Sequence, residues 1–247
     1  VSSWGRFGPL SATRRRVPRR TVLRYALISL ALLIVLANVL GERSVANDAE
    51  PAGPLPGSAL DALGRLPVAS AGPGAGYART AFGTAWTDAD GDGCDARDDA
   101  LSRDLANATY SPHGVPCQVR TGTFVDPYTG EALAYHRGTA AGDDVAVDHV
   151  VALLEAWRTG ARAWDDATRE RFANDPLNLL PAADAATRAK GARDAASWLP
   201  PDHASRCPYV ARRIAVKTDY GLAVTPEESD AMTAVLRDCP AEPLPVG

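Results

Sequence analysis

The sequence predicts an α+β fold: a short antiparallel sheet with several helices around it, braced by two disulfides. Three observations predict it. β-Branched and aromatic runs bracket a strong turn in QVRTGTFVDPYTGEALAYHRG, residues 118–138. Segments at helical spacing with well-formed starts follow. Cys94, Cys117, Cys207 and Cys239 all lie beyond an apolar N-terminal segment. An even number of cysteines in an exported chain points to disulfides, with three connectivities open, and nearest neighbours close the shortest loops. A tetrahedral zinc site is disfavoured, because no CxxC or CxxH pair occurs.

The elements are taken in chain order. Residues 1–24 form a basic N-region, with seven arginines from Arg6 to Arg24 and no acid among them. Residues 25–41, YALISLALLIVLANVLG, carry no charge and read as a signal or transmembrane segment. The arginines before it hold the N-terminus in the cytoplasm by the positive-inside rule, so all that follows is exported, either secreted or anchored. PRRTVLR resembles a twin-arginine signal, and Ser44-Val45-Ala46 offers a cleavage position before Asn47. Residues 47–76, rich in Pro, Gly and Ala, read as a linker with one short helix near Ala59 to Leu66. Residues 77–243 are left as the globular domain, long enough for one real core.

Within that domain YARTAFGTAW reads as a short amphipathic helix. The acidic loop DADGDGCDARDD comes next, then a helix ending near Leu105. QVRTGTFVD and EALAYHR form a hairpin, and VAVDHVV is a further strand. LLEAWRTGARAW and DDATRERFAND are helices, the second opening on carboxylates. PYVARRIAVKTDYG follows with Val210, Ile214 and Val216 at near-helical spacing, and PEESDAMTAVLRDC starts with proline and acids.

Charge narrows the class of partner. The whole chain is −4, but residues 1–46 hold eight arginines and one glutamate, so the remainder carries 18 basic and 29 acidic residues, or −11. A uniformly acidic protein binds nucleic acid poorly. The charge is uneven, however: residues 48–156 hold 6 basic and 16 acidic side chains, residues 157–217 hold 11 and 7. The net-positive stretch suits a phosphate-rich substrate.

That stretch follows Asp148-His149, in DDVAVDHVVALLEAW. A neutral imidazole with an ordinary pKa of about 6.5 can take a proton from an attacking water. A neighbouring carboxylate on the other face of a strand end can hold a hard divalent ion, which offsets phosphodiester charge. Downstream stand Asn178, in NDPLNLL, and Lys190-Gly191, in ADAATRAKG. The acidic loop offers a second candidate site. Asp88, Asp90 and Asp92 match the start of a calcium loop, with Asp99 at the closing position and Cys94 giving only its carbonyl. A polar turn stapled by a disulfide explains the same residues.

These motifs, with DGDGCDARDD, DPYTG, AKGARDAASWLPP and CPYVARRIAVKTDYGLAVT, resemble the HNH nucleases of the ββα-metal or His-Me finger fold. They are most similar to exported actinobacterial HNH proteins and to the C-terminal part of GmrSD-type restriction enzymes. The resemblance spans most of residues 77–239. It implies a divalent-metal-dependent (Mg or Mn, with Ca as an alternative) endonuclease acting on DNA, or alternatively RNA. His149 is then the general base, Asn178 the residue that fixes its loop, and Asp148 a metal ligand. Thr187 stands where relatives carry a second ligand, an asparagine, or else one residue is deleted there; Thr187 and Asp184 are the candidate substitutes, the carboxylate being the better ligand. Lys190 and Arg188 are expected at the substrate, and Glu155 and Arg97 behind the site. The departure at Thr187 and the −11 charge leave a second reading open, an HNH-fold binding protein without turnover. His113, His136 and His203 read as structural or surface residues.

Overall fold

The computed structural model describes residues 28–36, 53–112, 117–139 and 144–246. It divides into two units, Val1–Gly53 and Pro54–Gly247. In the first unit residues 28–36 are helical, and among the described residues no helix is long and apolar enough to cross a membrane. The expectations for the basic region, for both ends of the apolar segment and for the cleavage position lie outside the described residues, as does His113.

The second unit is an α+β domain with two small antiparallel sheets. Strands β1 (Ala106–Tyr110), β2 (Val119–Val125) and β3 (Ala132–His136) form one sheet in that order. The β2–β3 hairpin turns on DPYTG as expected. Asp126 is fully buried there, and its carboxylate accepts from the Thr129 amide at 3.0 Å and from the Ala183 amide at 3.0 Å. Strands β4 (Val145–His149) and β5 (Leu179–Ala183) form the second sheet, with His149 opposite Leu179.

Helix α1 (Ala59–Leu63) precedes the sheets, and α2 (Ala96–Asp104) lies across the first one. Leu101 and Leu105 pack there on Val119, Phe124 and Tyr135. Gly122 makes this approach feasible, because a Cβ at that point of β2 would sit 2.8 Å from the Leu105 side chain. Between β4 and β5 come α3 (Leu153–Thr159) and α4 (Asp166–Ala173). Gly160 splits the expected single helix in LLEAWRTGARAW, leaving a short 3-10 turn at Ala161–Ala163. Asp165 caps α4 as its sequence predicts, accepting from the Thr168 amide at 2.8 Å. Helix α5 (Asp184–Lys190) follows β5 directly, completing a strand–strand–helix unit, and α6 (Arg206–Tyr220) and α7 (Pro226–Leu236) close the chain.

Helix α6 separates two apolar clusters. Tyr209, Val210 and Ile214 face α1, Tyr128, Met232 and Leu236, whereas Ala215 and Val216 face Phe82, Phe172 and Leu222. Full burial of each large aliphatic side chain here contributes about 1.5–3 kcal/mol before ordering costs. Both cysteine pairs close on their nearest neighbour, Cys94–Cys117 and Cys207–Cys239.

The short helix expected near Ala59 to Leu66 forms over Ala59–Leu63, and Ala59, Ala62, Leu63 and Leu66 are buried against α6 and α7, so this part of the linker belongs to the core. The stretch YARTAFGTAW is not an amphipathic helix. It makes one 3-10 turn, Arg79–Phe82, and then leaves helical space at Gly83, φ 75°.

Candidate active site

The end of β4 places Asp148 and His149 on opposite faces, as strand alternation requires. His149 is buried, and its Nε2 lies 2.9 Å from the carbonyl oxygen of Ala173, at the end of α4. A carbonyl only accepts, so Nε2 carries the proton and Nδ1 keeps the lone pair. Nδ1 has no hydrogen-bond partner among the described residues. His149 lines a pocket of about 20 Å³ together with Arg79, Phe82, Gly83, Trp86, Leu153 and Ala173. Burial pushes the imidazole down to about 4, with Arg79 and Lys190 acting in the same direction, while the Ala173 bond and Asp148 oppose it. At neutral pH the ring is uncharged.

Asp148 points the other way. Its Oδ2 accepts from the Tyr128 hydroxyl at 2.7 Å and lies 2.9 Å from Nζ of Lys190. Lys190 is fully buried, and its ammonium also donates to the His149 carbonyl at 2.7 Å. Desolvation lowers the pKa of this lysine, and the Asp148 carboxylate opposes that.

The backbone beyond His149 leaves the β4–β5 ladder and becomes fully buried at Val150 and Val151. Its polar groups therefore need partners from elsewhere. The carbonyl of Asn178 accepts from the Val150 amide at 2.8 Å, and its Oδ1 accepts from the Val151 amide at 2.9 Å. Its Nδ2 donates to the carbonyls of Val151 at 3.3 Å and Phe172 at 3.4 Å. The Val150 carbonyl accepts from Nη1 of Arg213 at 2.8 Å. Three buried side chains, on α5, α6 and the loop before β5, thus hold residues 149–151. The loop carrying Asn178 is held in turn by Arg103 and Arg212, whose guanidinium groups donate to the carbonyls of Pro176 and Leu179.

Glu155 stands one link further from His149. It is buried between Arg213 at 2.5 Å and Lys217 at 2.9 Å, and Glu228 completes the cluster at 2.7 Å from Arg213. Burial alone would raise Glu155; the two cations override it and lower its pKa.

Several expected roles are corrected by placement. Lys190 does not face substrate, because its ammonium is enclosed by Asp148 and the His149 carbonyl. Arg188 is exposed but ion-paired with Asp184 one turn away. Arg97 reaches the Tyr135 hydroxyl at 3.5 Å and does not line the His149 pocket. Within the net-positive segment Lys190, Arg213 and Lys217 are buried and Arg169, Arg206 and Arg212 bond backbone carbonyls, whereas Arg158, Arg162, Arg171 and Arg193 are exposed.

The divalent ion implied by the resemblance needs a donor set. Thr187 Oγ1 is buried without a partner, so one hydroxyl on α5 is free. Asp148 already faces an ammonium, and no group of three ionisable ligands includes it among the described residues. These residues do not form a preassembled divalent site. In the acidic loop Asp88, Asp90 and Asp92 bring carboxylates within 4.8 Å of one another, all exposed. They accept from the loop's own amides: Gly91 to Asp88 at 2.8 Å, Asp92 to Asp90 at 3.3 Å, Cys94 to Asp92 at 2.8 Å. Those bonds account for the aspartates as turn-formers.

Sequence reasoning missed Arg79, Trp86, Tyr128, Arg213 and the Ala173 carbonyl. Arg79 and Trp86 sit about sixty to seventy positions before His149, and no periodicity reports a contact of that separation. Arg213 and Lys217 occupy helical spacing that reads as a solvated face, until Glu155 and Glu228 are known to meet them.

Comparison with known proteins gives the family. Residues 95–235 match the family described as GmrSD restriction endonucleases, C-terminal domain. An "Uncharacterized secreted protein" from Arthroderma benhamiae is 35% identical over 188 residues, covering 75% of this chain and 87% of the relative. No solved structure matches the chain. With the family region taking in β4, β5, α5 and the residues that hold His149, the chain belongs to the family of GmrSD restriction endonuclease C-terminal domains.

Proposed function

We propose that this chain is an exported endonuclease that hydrolyses phosphodiester bonds in DNA, with His149 as its general base. One observation carries the reading: a neutral, buried imidazole that lines a small pocket, with its Nε2–H fixed on the Ala173 carbonyl and Nδ1 without a partner among the described residues. A water there gives its proton to Nδ1 as its oxygen bonds to phosphorus, and the P–O bond to the leaving alkoxide breaks. Family membership supports a nuclease, and the two disulfides together with the secreted relative support export.

A second reading, a binding protein of the same fold without turnover, is favoured by Asp148 facing Lys190 and by Thr187 at the position of the second ligand. Plasmid nicking by the full chain, with magnesium, manganese or chelator, separates the two. The endonuclease reading expects nicking that His149→Ala abolishes. Equal nicking by His149→Ala, or none with any ion, overturns it. Thr187→Asn in the same assay shows whether a second family-type ligand raises activity.

A further inference from the structure

Arg79 differs from the other cations near the site. Its guanidinium is exposed, has no hydrogen bond or ion pair among the described residues, and lines the pocket of His149. The backbone carrying it is nevertheless fixed. Phe82, at the other end of the same 3-10 turn, is buried 6.1 Å from the Phe172 ring, and the Ala81 carbonyl accepts from Nε of Arg169 at 2.8 Å. Gly83 then turns at φ 75°, where a Cβ would lie 2.7 Å from the Glu170 side chain. The arrangement tolerates only glycine and leaves the turn one seat on α4.

Beyond Gly83 the chain reaches Trp86, whose backbone is left-handed at φ 61°. That conformation costs a bulky residue about 1–3 kcal/mol, so the surroundings must enforce it. The Thr87 amide donates to Oδ1 of Asn174 at 3.0 Å, and Trp86 packs against the buried cluster of Ala96, Ala100 and Leu179. The indole lies parallel to the His149 imidazole, 10° between planes and 6.0 Å between centroids. Arg79, Phe82, Gly83 and Trp86 therefore line the pocket of His149, bringing a free guanidinium and an indole to it. That pocket, about 20 Å³, suits a single water.

We infer that residues 79–87 form a substrate-binding arm in which Arg79 contacts a phosphate oxygen of the nucleic-acid strand beside His149. The arm precedes residues 95–235, the family-matched region. A planar guanidinium matches a phosphate's paired oxygens. In a domain carrying −11 beyond residue 46, it supplies the local positive field that the buried cations cannot. This rests on the endonuclease reading only in taking nucleic acid as the ligand.

The test uses the full chain carrying His149→Ala, so that binding is read without turnover. A fluorescein-labelled DNA duplex and the corresponding single strand are titrated by anisotropy over a salt series. Adding Arg79→Ala should weaken binding about tenfold and reduce the slope of log K against log salt by about one. Arg79→Lys should restore the slope, and both variants should melt with the parent because the side chain is exposed. Unchanged affinity and slope in Arg79→Ala, or no salt-dependent binding by the parent, overturns the inference. Binding that depends on Arg79 without nicking by the wild type would remove hydrolysis and keep the arm. Nicking with kcat and KM untouched by Arg79→Ala would remove the arm and keep hydrolysis.

Discussion

At Nε2 of His149 one hydrogen bond decides which nitrogen can act as a base. The Ala173 carbonyl fixes the tautomer, and burial keeps the ring neutral. The same burial sets a pH dependence of stability. The folded pKa, about 4, lies below the ordinary 6.5, so between those values the unfolded chain binds more protons. The contribution is whole above pH 6.5 and is lost as pH falls towards 4, a loss of about 3 kcal/mol. Urea unfolding should show it, and His149→Asn should flatten that part of the profile. Asp99 runs the opposite way. Burial first, then Asp92, Asp90, Asp95 and Asp88, raise it from 3.8 to about 6, so its ionisation opposes folding at neutral pH. Asp99→Asn should raise Tm at neutral pH and leave it unchanged below the ordinary carboxylate range. A Tm that falls at neutral pH would show that the carboxylate is needed there.

Among the elements, the segment leaving β4 gathers partners from all around it. Removing the Asn178 side chain leaves the buried Val151 amide without an acceptor, so Asn178→Ala should cost about 2–3 kcal/mol. Lys190→Met leaves the Asp148 carboxylate without its cation and should cost about 3 kcal/mol or more, read by denaturant unfolding. A loss under about 1 kcal/mol would mean that solvent replaces the ammonium easily. Much of this architecture is legible in the chain. The β2–β3 hairpin is announced by DPYTG, α4 by its aspartates, and α7 by Thr225-Pro226 with acids behind it. These signals are local, because caps and turns are made by neighbours in sequence. Strand β5 is not announced: LLPAA contains a proline and too few residues for alternation, and it is a strand only because β4 lies beside it. The site divides in the same way. His149 and Asn178 stand in recognisable motifs, whereas Lys190 is expected at the substrate and its burial depends on helix α5 folding back over β4.

For the molecule as a whole, the disulfides brace the two ends of the domain differently. Cys94–Cys117 ties the acidic loop to the entry of β2, and Cys207–Cys239 ties the start of α6 to the segment after α7 across 32 residues. Closing a loop of that length contributes about 3–4 kcal/mol through the unfolded chain. A Cys207→Ala, Cys239→Ala double variant should lose stability on that scale without changing the site, and reducing agent should reproduce the loss. Helix α1 adds a closure of a different kind. Its first amide, at Ala59, donates to the Glu242 carbonyl at 2.8 Å, and Ser58 bridges Pro243. Residues near the start of the domain are thus completed by residues near its end. A ribosome or an export channel releases those two partners at opposite times, so α1 must wait for residues 242–243 before its core face is covered. The domain consequently cannot finish folding piecemeal from its start, and the cover of α1 forms only once residues 242–243 are free to reach it.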